Sequence, residues 1–143
     1  KQDIKVVTHS LMNQVASNPK ILHEITPRQF EELVCELFEK EGNHVELTKQ
    51  TRDGGKDLII LNNSSLGDFV IYAECKKRAP KYPVNVGFVR ELYGTVNADN
   101  ATAGIMVTTS YFSRDARKYQ EKIKSRMSLI DYSELMKRIM ACK

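Results

Sequence analysis

Asp57-Leu58-Ile59-Ile60-Leu61, followed after a polar stretch by Phe69-Val70-Ile71-Tyr72-Ala73-Glu74-Cys75-Lys76, decides how this chain folds. An apolar run behind an aspartate and an alternating segment ending in an acid and a lysine both carry strand patterning. Between them Asn62, Asn63, Ser64, Ser65 and Gly67 supply turn chemistry, so the two runs read as a hairpin. Antiparallel pairing sets the start of one strand beside the end of the other, which brings Asp57 to Glu74 and Lys76. Successive strand residues point to opposite faces, so Glu74 and Lys76 project side by side. Two converging carboxylates repel unless a cation lies between them, and oxygen ligands with room for water suit Mg²⁺. The trio reads as a divalent-metal site with an attached lysine. Phe69, Ile71, Ala73 and Cys75 share one face of the second strand, and Val70 and Tyr72 share the other with Glu74 and Lys76. Apolar residues on both faces mark a central strand covered on each side.

Upstream of the hairpin, Thr26-Pro27-Arg28-Gln29 combines a capping threonine, a first-turn proline and a glutamine three residues after the cap, which starts a helix at Pro27. Phe30, Leu33, Val34, Leu37 and Phe38 form its core-facing stripe, and Gly42 ends it. At about 100° per residue, Glu31 borders that stripe while Glu32 and Glu39 point away, so Glu31 alone can reach a site at the sheet's end. Residues 1 to 18 carry Ile4, Val7, Leu11 and Val15 at helical spacing before the stop Asn18-Pro19. Val45 and Leu47 suit a short strand, and Arg52-Asp53-Gly54-Gly55-Lys56 a sharp turn that presents Asp57.

Downstream the pattern alternates: a helix over 86–96, a buried strand over 104–109, a helix capped by Ser113 and running to about Ser125, a strand over 127–130, and a final helix capped by Asp131 with Glu134. Hairpin strands early and strand-helix alternation late imply an α/β fold, a mixed central sheet flanked by helices on both faces.

The 143 residues suffice for one domain with a single core, and 28% charged with 41% hydrophobic residues is ordinary for a globular protein. No apolar stretch approaches the roughly 20 residues of a membrane-spanning helix, and no signal-peptide pattern opens the chain. A chain beginning at Lys1 reads as an excerpt or processed product, so a missing neighbouring domain is expected to matter. Cys35, Cys75 and Cys142 are odd in number and widely spaced, which suits a reducing cytoplasm and excludes a paired-cysteine zinc site. His9, His23 and His44 are equally scattered, so neither a histidine metal site nor a Ser-His-Asp triad has support. The net charge is only +4, but Lys49, Arg52, Lys56, Lys76, Lys77, Arg78 and Lys81 bracket both acids. Such a rim attracts a polyanion and holds its phosphates near a cation.

Asp57 and, seventeen residues on, Glu74-Cys75-Lys76, on adjacent strands after a helix bearing Glu31, resemble the PD-(D/E)xK nuclease core. Phe30-Glu31-Glu32-Leu33-Val34, Asp53-Gly54-Gly55-Lys56-Asp57, Glu74-Cys75-Lys76-Lys77, Val89-Arg90-Glu91-Leu92-Tyr93-Gly94, Val107-Thr108-Thr109-Ser110 and Leu129-Ile130-Asp131 resemble, in order, the signatures of the Mrr-type restriction endonuclease catalytic domain. The family often has glutamine where Glu74 stands, and its namesake motif has proline where this chain has Lys56. The resemblance covers about residues 25 to 140. It implies a restriction-endonuclease-like nuclease domain over 25–143, with 1–24 an N-terminal helix or linker outside the match.

The same resemblance implies a type IV, Mrr-like endodeoxyribonuclease that hydrolyses double-stranded DNA with Mg²⁺ or Mn²⁺ in restriction of foreign DNA. Asp57, Glu74 and the Cys75 carbonyl would hold the metal, Lys76 would orient or deprotonate the attacking water, and Glu31 would support a second metal or a bound water. Lys49, Arg52, Lys77 and Arg78, and more weakly Arg90, are the expected DNA-backbone contacts. Rival readings are a Holliday-junction-type nuclease and a non-cleaving DNA-binding or sensing module with the same fold. A homodimer and an additional DNA-recognition or effector domain are expected partners.

Overall fold

The computed structural model describes residues 10–49 and 55–142. Leu11–Ser17 forms a short helix, α1, followed by a 3₁₀ turn over Pro19–His23 and a long helix, α2, over Pro27–Lys40. Five strands follow in a single sheet: β1 His44–Leu47, β2 Leu58–Ser64, β3 Gly67–Lys76, β4 Ala103–Thr108 and β5 Met127–Ile130. Helix α3, Val86–Ala98, joins β3 to β4; α4, Arg114–Lys122, joins β4 to β5; and α5, Tyr132–Ala141, ends the described chain.

Spatial order equals chain order, β1-β2-β3-β4-β5. The first three strands pair antiparallel and the last three parallel, so β3 is the central strand where the two patterns meet. This is the mixed sheet that the hairpin and the later alternation imply. One core cluster joins Leu58, Ile60, Ala73, Val107 and Ile130 to Met12, Val15, Phe30, Leu33, Leu37, Leu135 and Ile139 from α1, α2 and α5. The opposite cluster joins Tyr72, Met106 and Met127 to Val89, Leu92, Val96 and Ala116 from α3 and α4. Neighbouring residues of β3 therefore enter opposite cores, Ala73 one and Tyr72 the other, as period-two alternation requires.

Local chemistry sets the boundaries. The α2 capping box is complete: the Thr26 hydroxyl accepts from the Gln29 N–H at 3.0 Å and the Gln29 side chain accepts from the Thr26 N–H at 2.9 Å. Gly42 sits at φ +101° just beyond the helix, a conformation that glycine adopts without strain. Ser113 and Asp131 cap α4 and α5 as expected, each accepting from a backbone N–H three residues on.

Three expectations are corrected. Asn62, Asn63 and Ser64 belong to β2 and pair with Phe69, Asp68 and Gly67, so the hairpin closes through Ser65 and Leu66 alone. Helix α4 stops at Lys122, because Ile123 at φ −127° leaves helical geometry. The amphipathic pattern over 1–18 does not make one continuous helix, since Ser10 is extended and caps α1 with its hydroxyl on the Asn13 N–H. Ile4 and Val7 lie outside the described residues; Met12, Val15 and Ala16 pack on the core.

Candidate active site

The site lies where β2 begins and β3 ends. Asp57 is clamped there: its N–H donates to the Ala73 carbonyl at 2.9 Å, and its carbonyl accepts from the Thr48 N–H at 3.0 Å. Beyond the Leu58-Ala73 pair the β2 backbone leaves the ladder, and Asp57 Oδ2 accepts the Cys75 N–H at 2.8 Å instead. A side chain thus completes the strand pairing that the departing backbone gives up. Gly55, at φ +59°, makes the approach: a Cβ there would come within 2.9 Å of Thr95 Oγ1 on α3.

Alternation alone puts Asp57 on the face of Glu74, yet its carboxylate turns to the Cys75 N–H and lies near enough to Glu31 on α2 for the two acids to interact. Glu31 is 8% exposed, and Arg28 donates to its Oε1 at 2.8 Å and to the Thr48 carbonyl at 3.0 Å. Burial raises the Glu31 carboxyl above its ordinary value, Arg28 opposes, and the Asp57 charge adds to the rise. On the other face Glu74 Oε2 lies 3.1 Å from Lys76 Nζ. Burial still raises Glu74 despite that lysine, with further contributions from Asp57 and Glu91. Lys76 favours the charged form of Glu74, but burial outweighs it. The Cys75 thiol is raised well above its usual range by burial and by the surrounding acids, so it stays protonated and the residue's usable donor is its carbonyl.

The structure gathers Asp57, Glu31, Glu74 and Lys76 at one strand end, but Lys76 turns to Glu74 and to the Phe88 ring, 4.3 Å from its ammonium, rather than to Asp57. Of the expected DNA contacts, Lys49 is exposed at the exit of β1, Lys77 donates to the His23 carbonyl at 3.2 Å, and Arg78 lies 5.1 Å over the same Phe88 ring. Arg90 is held 5.2 Å over the Tyr119 ring. Arg52 lies outside the described residues. Lys56 is committed to Asp99 at 3.6 Å and to the Tyr72 ring.

Sequence reasoning missed four contributors. Glu91, next to Arg90, lines a cleft of about 370 Å³ with Glu74, Gly55 and Thr95. Phe88 is the plate under Lys76 and Arg78, and Arg28 braces Glu31. Helical phase could have found Glu91, which lies three residues past Phe88 and four before Thr95 and so shares their flank of the helix. The Thr108-Thr109-Ser110 run holds the chain leaving β3: the Thr108 hydroxyl donates to the Lys76 carbonyl at 2.7 Å, Thr109 to the Arg78 carbonyl at 2.6 Å and Ser110 to the Tyr82 carbonyl at 2.7 Å.

Among the described residues no three of His, Cys, Asp and Glu close into a ready cation cage. Mg²⁺ does not need one, since it keeps several waters and binds through one or two carboxylates. The donors are all oxygen, and Asp57 faces a raised carboxyl on either side, so the residues fit a divalent cation.

Two consequences can be measured. Because Glu31 and Glu74 hold protons to higher pH in the fold than in the unfolded chain, the metal-free protein loses stability as pH rises from about 4.5 through their raised range. Glu31→Gln removes one of the charges while its amide oxygen can still accept from Arg28. Its melting temperature without metal is therefore expected above wild type at pH 7 and level with it near pH 4; a lower value at pH 7 contradicts the electrostatic account. Phe88→Ala removes the aromatic support of Lys76, worth about 0.5–1 kcal/mol in exposed settings. The expected result is a several-fold loss in cleavage rate at unchanged metal affinity, read by metal titration beside single-turnover assays.

A mixed sheet carrying acids and a lysine at the carboxyl end of its central strand is the architecture of PD-(D/E)xK restriction endonucleases. Solved structures agree on the fold. The DNA modification-dependent restriction endonuclease AspBHI superposes with a TM-score of 0.72 at 20% identity, covering 94% of this chain and 36% of that one. The MspJI restriction endonuclease in complex with a 27-mer oligonucleotide gives 0.63 at 22% identity, covering 92% and 32%. The family model of the Mrr catalytic domain, described as restriction endonuclease, matches residues 22–139, and the chain belongs to that family. The type IV methyl-directed restriction enzyme EcoKMrr of Escherichia coli (strain K12) is 25% identical over 140 residues, 94% of this chain and 44% of that protein. The chain spans less than half the length of the curated relatives it matches. Among the described residues no helix is long and apolar enough to cross a membrane.

Proposed function

We propose that this domain hydrolyses phosphodiester bonds of double-stranded DNA with Mg²⁺ or Mn²⁺, in restriction of foreign or modified DNA within a reducing cytoplasm. The observation that carries the reading is the pair of raised carboxyls, Glu31 and Glu74, flanking Asp57 with Lys76 3.1 Å from Glu74. Burying carboxylates beside one another is costly, chiefly through lost solvation and further through their mutual charge, and a bound cation relieves both.

Asp57, Glu74 and the Cys75 carbonyl would hold the metal, with Glu31 at its edge through a second ion or a water. When bound, the ion polarises a phosphate oxygen and lowers the pKa of water. Asp57 keeps its donor geometry because the Cys75 N–H holds its Oδ2. Lys76, fixed between Glu74 and Phe88, orients the attacking water and offsets charge on the phosphate. Thr108 and Thr109 fix the backbone on either side of Lys77, so Lys76, Lys77 and Arg78 are held together at the end of β3. Lys49, Arg52, Lys77 and Arg78 contact the DNA backbone and position the duplex without reading its sequence, with Arg90 a more distant contributor. Cutting both strands with one site per chain calls for a homodimer. Base or modification choice would then rest with a further domain, consistent with the share of the relatives that this chain spans.

The test is incubation with plasmid, branched and modified DNA, with Mg²⁺ and with chelator. Metal-dependent cleavage of linear or plasmid duplex is expected. Cleavage confined to branched DNA assigns the domain to junction resolution instead, and tight binding with no cleavage of any substrate makes it a non-cleaving recognition module.

A further inference from the structure

A second cavity opens at the same end of the sheet. It measures about 340 Å³ and is lined by His23, Pro80, Thr109, Ser110, Tyr111 and Tyr132. That lies within the roughly 300–1,000 Å³ of small-ligand clefts. Pro80 follows β3, Thr109 to Tyr111 follow β4, and Tyr132 follows β5, so the walls rise from the carboxyl ends of all three parallel strands. Ligands of open α/β sheets gather at that end. The Thr109 N–H donates to the Lys76 carbonyl at 3.3 Å, so one hydrogen bond joins the cavity wall to the candidate active site.

Its chemistry is specific. His23 and Tyr132 stack with ring centroids 5.9 Å apart and planes 25° from parallel, and Tyr111, 46% exposed, adds a third ring. The buried His23 Nδ1 has no hydrogen-bond partner among the described residues. The Thr109 and Ser110 hydroxyls are spent on the Arg78 and Tyr82 carbonyls, so they build the wall rather than wait for a ligand. Among the described residues no carboxylate lines the cavity, and Lys77 Nζ donates to the backbone carbonyl of His23, one of its lining residues, which brings a cation close to it. Ring faces beside a nearby cation suit a flat heterocycle attached to a phosphate.

We propose that this cavity receives one unstacked nucleobase of the DNA strand whose phosphate lies at Lys76. The base stacks on the aromatic walls, with the exposed Tyr111 ring as its outer plate. The proposal rests on the DNA reading above. Stacking on aromatic rings tolerates any base, and extrusion costs least where a base is already unpaired, so the cavity favours DNA carrying an unpaired nucleotide near the scissile phosphate.

The experiment measures affinity of the full chain, in chelator, for a paired duplex and for the same duplex with one unpaired nucleotide. Wild type should bind the second roughly tenfold more tightly, the scale of one base-aromatic stack. Tyr111→Ser, an exposed position that leaves the core intact, and His23→Leu should each reduce that ratio several-fold while paired-duplex affinity holds. 5-Iodouracil at the unpaired position should photocrosslink to Tyr111 or Tyr132. Equal affinity for the two duplexes, or crosslinks confined to other residues, overturns the base pocket and leaves the nuclease reading standing. Failure to bind either duplex overturns both.

Discussion

Asp57→Ala is expected to abolish metal-dependent cleavage, by roughly 10³-fold or more, while leaving the fold and most DNA affinity in place; Lys76→Ala should cost roughly 10²–10³-fold. The two losses differ in origin. Removing Asp57 deletes the carboxylate shared by both groups of acids and frees the Cys75 N–H it accepts at 2.8 Å, so metal titration should fail together with cleavage. It also lifts repulsion from Glu31, which offsets the lost hydrogen bond and keeps the melting temperature near wild type. Removing Lys76 leaves Glu74 without the cation 3.1 Å away, which raises its carboxyl further and weakens metal binding at low pH. At higher pH metal binding should recover and cleavage should not. Single-turnover assays and metal titrations across pH read both effects, and undiminished cleavage by either variant would sink the assignment.

Phe30→Ala carries the largest expected cost to the fold. Phe30 is fully buried at the centre of the α2 stripe, in the cluster that joins α1, α2 and α5 to the sheet. Truncating a buried phenylalanine typically costs about 3–5 kcal/mol, against about 5–15 for a whole domain. Chemical denaturation should show that loss with an unchanged slope. Because Phe30 sets the phase of α2, Glu31 should lose its hold beside Asp57, and cleavage should fall more than the folded fraction alone explains. Activity that tracks the folded fraction would mean that Arg28 alone suffices to hold Glu31.

The fold was legible because its signals are local and periodic. Thr26 and Gln29 announce α2 whatever surrounds them, and the alternation from Phe69 to Lys76 requires a strand with two covered faces. The candidate site was legible in part. Strand pairing brought Asp57 to Glu74, and helical phase picked Glu31 from four glutamates. Period-two alternation, however, sends the Asp57 side chain to one face only, and it carries no information that the side chain turns back to take the Cys75 N–H.

The basic residues were the least legible. Lys49, Lys56, Lys77, Arg78 and Arg90 are alike as letters, yet Lys56 is tied to Asp99, Lys77 to His23, Arg78 to Phe88 and Arg90 to Tyr119. Partners that distant in sequence leave no trace in spacing.

By itself the sequence determined the elements, their order and the acids and lysine that meet at the end of β3, because propensity, capping and periodicity act over a few residues. Tertiary structure decided what those groups face: Glu31 against Asp57, Lys76 against Glu74 and Phe88, and a ring-lined cavity behind Lys77. Burial and the charges contributed by other elements set the protonation of each carboxyl, and those exist only once α2 and α3 have packed on opposite sides of the sheet.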